Sequence, residues 1–339
     1  MKILITGGAG FIGCNLSADF IRAGHGVTLF DNFSRRGSEA NLAWLREQFG
    51  ENFNVVRGDI RDADAITQAA RGQGAIFHLA GQVAVTTSVI DPRADFEANA
   101  LGTLNTLEAA RVAGTPPIFI YTSTNKVYGG MERAHVIDTG ARYALKDLPH
   151  GVPETWPLDF HSPYGCSKGA GDQYVRDYYR IYGLPTVVFR QSAIYGPRQF
   201  GVEDQGWLAY FAICATLGKP FTIYGDGKQV RDLLYIDDLA RAFELAIQHI
   251  DRTAGQVYNL GGGPERSLTI WTETRPLLEK LAGRVLNVNY GDWRPGDQRV
   301  YLSDIRKAKA EFGWEPRIVP EEGLRKLWEW TQANKHLFV

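Results

Sequence analysis

The 339-residue sequence predicts an α/β fold built on a doubly wound parallel sheet, and three observations carry that prediction. Short continuous runs of apolar and β-branched residues alternate with helical stretches, the pattern of buried parallel strands and their crossovers. The first run breaks into a glycine cluster that opens a helix, and an acid ends the second run about twenty residues later.

Taken in order, Lys2 to Thr6 reads as a strand that stops at Gly7-Gly8-Ala9-Gly10-Phe11-Ile12-Gly13, after which Asn15 to Ala23 has helical composition. The glycines allow a tight turn and close approach of a pyrophosphate to free N–H groups at a helix start. The strand from Gly26 to Phe30 ends at Asp31-Asn32, where an acid accepts from a ribose 2′-hydroxyl and repels a 2′-phosphate; this points to NAD, although Arg35 and Arg36 blunt the preference. Further strands are expected at 54–57, 75–79 and 117–121. They run into Gly58-Asp59-Ile60, Ala80-Gly81-Gln82 and Thr122-Ser123-Thr124, with one long helix over 95–112. Ligands bind such sheets outside the carboxyl ends of the strands, where these polar residues fall. Beyond a strand at 186–190 the alternation loosens. Residues 201–207 read as a loop, 208–217 as a helix, and Phe221 to Tyr224 with Gly225-Asp226-Gly227 as a hairpin edge. A helix at 237–249 and a strand at 256–260 return to the sheet. A smaller C-terminal substrate domain is therefore interleaved with the first: residues 1–190 and 229–262 form one unit, 191–228 and 263–339 the other.

Composition narrows the function classes. Acidic and basic residues number 38 and 37, which gives no electrostatic case for nucleic acid or an anionic membrane. The opening apolar run is too short for a signal peptide, and no stretch approaches the roughly 20 apolar residues of a membrane span, so a cytoplasmic protein is expected. Cys14, Cys166 and Cys214 are scattered, without C-x-x-C or a His pairing, which argues against disulfides and structural zinc; no metal is expected.

Tyr164-Gly-Cys-Ser-Lys168 places a phenol and an ammonium one helical turn apart on the same face. An unperturbed Tyr titrates near pH 10 or so. A nearby lysine cation, and a cationic nicotinamide, would lower that value and turn the Tyr into an acid/base. The spacing alone is common on helix surfaces. Arg231 and Arg294 offer guanidinium forks suited to a diphosphate.

Together the glycine pattern, Asp31-Asn32, Gly58-Asp59-Ile60, His78 to Gly81, Asn99, the Ser/Thr cluster before Val127-Tyr128-Gly129 and the Tyr164/Lys168 pair resemble the extended short-chain dehydrogenase/reductase superfamily, with its Rossmann fold. Within it, Ser123 to Gly129 and Phe160 to Lys168 most resemble the CDP-tyvelose (CDP-paratose) 2-epimerases. So do Gln199-Phe200, Asp204 to Trp207, Gly227 to Asp232 and Asp297 to Val300. The resemblance implies NAD as cofactor, cradled by Gly7, Gly10, Phe11, Ile12 and Gly13. Asp31 and Asn32 would take the adenosine ribose, Asp59 and Ile60 the adenine, and Leu79, Ala80, Gly81, Asn99 and Thr122 would line the remaining groove. Tyr164 would be the acid/base, Lys168 would hold the nicotinamide ribose, and Thr124, helped by Ser123, would bind the reacting hydroxyl. A CDP-sugar would meet Gln82, Thr87, Lys126, Gln191, Ser192, Arg198, Gln205, Tyr224, Arg231 and Arg294. The family also implies a homodimer through helices at 94–112 and 165–182.

The chemistry implied is C2 epimerisation of a CDP-activated hexose by transient oxidation. A 4,6-dehydratase needs extra acids, commonly Asp-Glu after the Thr, and here those positions are Asn125-Lys126. A UDP-glucose 4-epimerase remains the alternative, although its motif carries small neutral residues there. A non-catalytic NAD sensor is the competing class.

Overall fold

The computed structural model describes residues 1–294 and 297–339. The chain begins β1 (Lys2–Thr6), α1 (Phe11–Arg22), β2 (Gly26–Asp31), α2 (Ser38–Phe49), β3 (Asn54–Arg57), α3 (Ala63–Ala70), β4 (Ala75–His78), α4 (Val85–Ile90), α5 (Pro92–Phe96), α6 (Gly102–Arg111) and β5 (Ile118–Thr124). It continues with β6 (Val136–Asp138), β7 (Tyr143–Leu145), α7 (Ser162–Tyr182), β8 (Thr186–Gln191), β9 (Ala193–Tyr195), α8 (Trp207–Leu217), β10 (Phe221–Tyr224), β11 (Val230–Tyr235), α9 (Ile236–Gln248), α10 (Ile250–Thr253) and β12 (Gln256–Leu260). The remaining elements are β13 (Ser267–Thr269), α11 (Thr274–Ala282), β14 (Val288–Gly291), β15 (Val300–Tyr301), α12 (Arg306–Phe312) and α13 (Pro320–Ala333).

Seven parallel strands form the central sheet in the order β12-β8-β5-β4-β1-β2-β3. Successive side chains of each strand enter opposite cores, as the period of two requires. Ile3 and Ile5 of β1 pack with Phe77, Val187 and Phe189 beneath α1, α2 and α9, while Leu4 packs with Ile76 and Val188 beneath α3, α6 and α7. The winding direction reverses between β1 and β4. Their carboxyl ends open the crevice in which such sheets bind ligands. The predicted doubly wound sheet is therefore the observed one.

Three local expectations need correction. The helix over 95–112 is broken: a π-helical turn, Glu97–Leu101, separates α5 from α6 and carries Asn99. β10 is not the edge of a hairpin; it pairs in parallel with the distant β14, and β11 joins β9, β13 and β15 in another sheet. The Gly225-Asp226-Gly227 turn passes between the two sheets, its Gly225 N–H donating to Gly291. Finally, Thr122, Ser123 and Thr124 lie within β5, whose last residues pair with β8.

Candidate active site

Helix α7 presents the central pair. Pro163 in its first turn presets the backbone, the Ser162 hydroxyl accepts from the Gly165 N–H, and Gly183 closes the far end in a left-handed conformation. Tyr164, Lys168 and Asp172 follow at intervals of four and are all buried. Burial dominates their electrostatics. It pushes Tyr164 up to about 12, against the opposing hydrogen bond from Thr124, and pulls Lys168 down to about 7, against Asp172 and Asp95. The expected lowering of Tyr164 is thus not produced by these side chains alone: desolvation outweighs the Thr124 hydrogen bond, and the Asp95 carboxylate adds to the rise. The Lys168 ammonium also lies 4.3 Å from the centre of the Tyr121 ring.

At the end of β5, Thr124 faces Tyr164 and also accepts from the Lys126 N–H, capping the 3₁₀ turn Asn125–Tyr128. Ser123 is placed differently. Its hydroxyl donates to Asp172 at 2.8 Å, and Asp172 holds Arg190 at 2.8 and 2.9 Å. Arg190 donates on to Tyr128, whose hydroxyl reaches Asn259 at 2.7 Å. The Ser123 proton is therefore engaged in a buried network beneath Lys168, and only its oxygen remains free to accept from a ligand.

The crevice fits a dinucleotide. Gly7 is left-handed, and a Cβ on Gly13 would stand 2.2 Å from the Gly7 carbonyl, so the turn closes only without side chains. No side chain caps α1, whose first N–H groups stay open toward the crevice. Asp31 accepts from Ala9 at 2.9 Å and from Phe33 at 2.8 Å, bracing the turn from the end of β2. Burial raises its pKa, with both backbone bonds opposing. Asn32 donates to Asp59, which Arg61 grips at 2.8 and 2.9 Å; Ile60 packs under Gly102. The Leu79 and Ala80 N–H groups both donate to Thr6, Thr122 donates to the His78 carbonyl, and Gly81 leaves room for the Asn99 amide. Asn99 Oδ1 is buried without a partner among the described residues, the kind of orphan that a bound ribose or amide would satisfy.

Two cavities adjoin this groove. One, of about 220 Å³, is lined by Phe11, Ile12, Thr124, Tyr164, Gln191 and Ser192. The other, of about 260 Å³, is lined by Lys126, Tyr224, Gln229, Arg231, Arg294 and Asp297. Gln205, Gly206 and Trp207 border both. In the outer cavity Arg231 pairs with Asp297 at 2.6 Å, while Arg294 pairs with Asp204 at 3.2 Å and stacks 3.9 Å over Tyr224. Gln191 lines the inner cavity, and its Nε2 is buried without a partner among the described residues.

Three expected sugar ligands lie elsewhere. Arg198 lines neither cavity; its guanidinium stacks on Trp44, 3.1 Å from the ring centre. Gln82 is folded onto Ala84, donating to its carbonyl and accepting from its N–H. On α4 it is Thr86, not Thr87, that faces the outer cavity, with its hydroxyl unpartnered among the described residues; a one-residue error in helical phase hid it. Trp207 and Gln229 also line these cavities; both fall in stretches that carry the resemblance, Asp204 to Trp207 and Gly227 to Asp232, but neither was expected as a ligand.

A family model described as the NAD dependent epimerase/dehydratase family matches residues 3–261. A CDP-paratose 2-epimerase of Salmonella typhi is 44% identical over 98% of this chain and 100% of its own. Among solved structures, the UDP-glucose 4-epimerase of Thermotoga maritima, with UDP-glucose, is 32% identical, superposes with a TM-score of 0.83 and covers 99% and 100% of the two chains. A dTDP-glucose 4,6-dehydratase of Streptomyces venezuelae, solved with NAD bound, is 30% identical with a TM-score of 0.84, covering 99% and 98%.

Proposed function

This chain belongs to the NAD dependent epimerase/dehydratase family, and from that premise we propose that it inverts C2 of a CDP-activated hexose of the paratose/tyvelose or glucose/mannose type. One observation carries the choice among the family's reactions. Beside Thr124 and Tyr164 stand Asn125 and Lys126, so the acids that an elimination requires after the Thr are missing from the sequence position that would supply them. The similarity to a CDP-paratose 2-epimerase supports the same reading.

The cofactor is NAD, which when bound would supply the hydride acceptor for oxidation and, reduced, the hydride donor. The chain's own residues handle the proton and the sugar. Tyr164 Oη takes the C2 hydroxyl proton as the carbon is oxidised and gives it back after the 2-keto sugar has turned over. Thr124 Oγ1 bonds that same oxygen, and Lys168 carries the compensating positive charge. Arg231 and Arg294 hold the diphosphate while the sugar turns, each relinquishing part of its carboxylate pairing to do so. Gln191 offers its free amide to a sugar hydroxyl, with Ser192, Gln205 and Tyr224 alongside.

We assign residues 1–190 and 229–262 to the NAD-binding unit and 191–228 with 263–339 to the nucleotide-sugar unit. We also assign a homodimer, supported by exposed Phe96, Tyr174, Tyr179 and Tyr182 on α5 and α7. Three unpaired thiols suit a reducing cytoplasm, and among the described residues no helix is long and apolar enough to cross a membrane.

The test is a panel of CDP-, UDP- and GDP-hexoses with each product sugar identified. The expected product is the C2 epimer of a CDP-hexose. In deuterium oxide C2 should retain its original hydrogen; solvent deuterium there, or inversion only at C4 of a UDP-hexose, would sink the assignment and favour the 4-epimerase seen in similar structures.

A further inference from the structure

We propose that Lys126 decides which sugar carbon meets Tyr164, by drawing the substrate's diphosphate toward the catalytic helix so that the carbon next to the phosphate-bearing one is presented. This deepens, and rests on, the reading of C2 epimerisation above.

The geometry comes from the short 3₁₀ turn after β5. Thr124 lines the inner cavity and Lys126, two residues on, lines the outer one. The turn lies against α7: a Cβ on Gly165, the residue after Tyr164, would stand 3.4 Å from the Lys126 carbonyl. Lys126 is thus the cation of the outer cavity whose backbone adjoins the catalytic helix.

Its charge is short of a partner. Arg231 has Asp297 at 2.6 Å and Arg294 has Asp204 at 3.2 Å. Lys126 Nζ makes no ion pair or hydrogen bond among the described residues. Burial and the repulsion of Arg231 both pull its pKa down, to about 8, with only Asp297 opposing. A cation enclosed beside another cation is costly until an anion arrives, and a diphosphate is the anion this cavity is built to receive.

Position then dictates regiochemistry. In a hexopyranose C2 is bonded to C1, which bears the diphosphate, whereas C4 lies across the ring. A diphosphate held only by Arg231 and Arg294 leaves the ring to span the gap and offer its far side. One held additionally at Lys126, which follows Thr124 by two residues and is the outer-cavity cation whose backbone adjoins α7, brings C1 closer and offers C2.

The experiment uses the full chain with its NAD. Lys126→Met and Lys126→Arg are compared with the unmodified protein for NAD content, CDP affinity by calorimetry, kcat and KM on a CDP-hexose, and product identity by NMR. Lys126→Met is expected to retain NAD, to weaken CDP binding, and to lose kcat/KM at C2 by about 30-fold or more, the scale of a lost buried charge-assisted contact. Lys126→Arg should recover CDP affinity. A Lys126→Met protein with NAD bound whose C2 kinetics match those of an active unmodified protein within twofold would overturn this inference alone. Absence of C2 turnover in the unmodified protein would overturn both readings.

Discussion

Burial sets the protonation states in which Tyr164 and Lys168 work. With Tyr164 at about 12 and Lys168 at about 7, the pair holds two protons below pH 7 and one above it. The single-proton form is the active one, since phenol with amine and phenolate with ammonium differ only in where that proton sits. kcat/KM should therefore rise through a one-proton limb centred near pH 7. The positive charge of a bound nicotinamide favours losing the first proton and moves the limb downward, never upward. A pH profile recorded from 5 to 10 on the unmodified protein checks this, and a limb centred above 8 would contradict it. Tyr164→Phe should keep its NAD and lose turnover entirely. The same burial has a stability consequence of definite sign. A lysine whose folded pKa lies below its unfolded value leaves the unfolded chain binding more protons, so Lys168 makes the NAD-free protein gain stability from about pH 7 upward. Much at this scale was legible: Tyr164, Lys168 and Thr124 meet because spacing and strand-end position determine their placement. The phase of α4 and the stacking of Arg198 on Trp44 were not, because one residue of helical rotation, or one aromatic neighbour distant in sequence, leaves no local mark.

At the scale of elements, the turn between β1 and α1 is the most sharply specified piece of the molecule. A methyl group on Gly13 would meet the Gly7 carbonyl at 2.2 Å and the Gly8 Cα at 2.7 Å, both backbone atoms that cannot move without displacing β1 or α1. Gly13→Ala is expected to cost about 1–3 kcal/mol of stability, the usual penalty of overpacking, and to yield protein lacking NAD. Urea unfolding and nicotinamide content of the purified variant measure both; full NAD occupancy would show that the turn has more slack than its contacts allow. The sequence announces this turn because glycine has a physical monopoly there. The π-helical turn that carries Asn99 goes unannounced, since Glu97 to Leu101 has the composition of any helix. The parallel partner of β10 was hidden for a different reason. A Gly-Asp-Gly turn after a short strand signals a hairpin, and the competing strand, Val288–Gly291, lies too far along the chain for local pattern to weigh it.

For the whole molecule, the arrangement of α5, α6 and α7 leaves a surface that a single copy does not cover. Phe96 is 57% exposed and Val112 54%, while Tyr174, Tyr179 and Tyr182 of α7 are between 41% and 54% exposed. α5 packs directly against α7, so these exposed side chains lie on neighbouring helices. Charge stands close by: Arg111 lies 5.3 Å over the Tyr182 ring and is held by Glu108 at 2.6 Å. Exposed apolar side chains of this kind suit the association proposed above, and two copies related by a twofold axis would bury the same residues on each side. The expected species is a dimer at micromolar concentration. The double substitution Phe96→Glu with Tyr174→Glu places four carboxylates in the proposed contact, and should halve the mass seen by sedimentation equilibrium. Both side chains face away from the two cavities' lining, so NAD content and C2 turnover per chain should persist if α7 is held by its own packing against β5 and β8. A double variant that remains dimeric would place the interface on another face, and loss of turnover together with dimerisation would show that the partner's α7 is needed to hold Tyr164 in register.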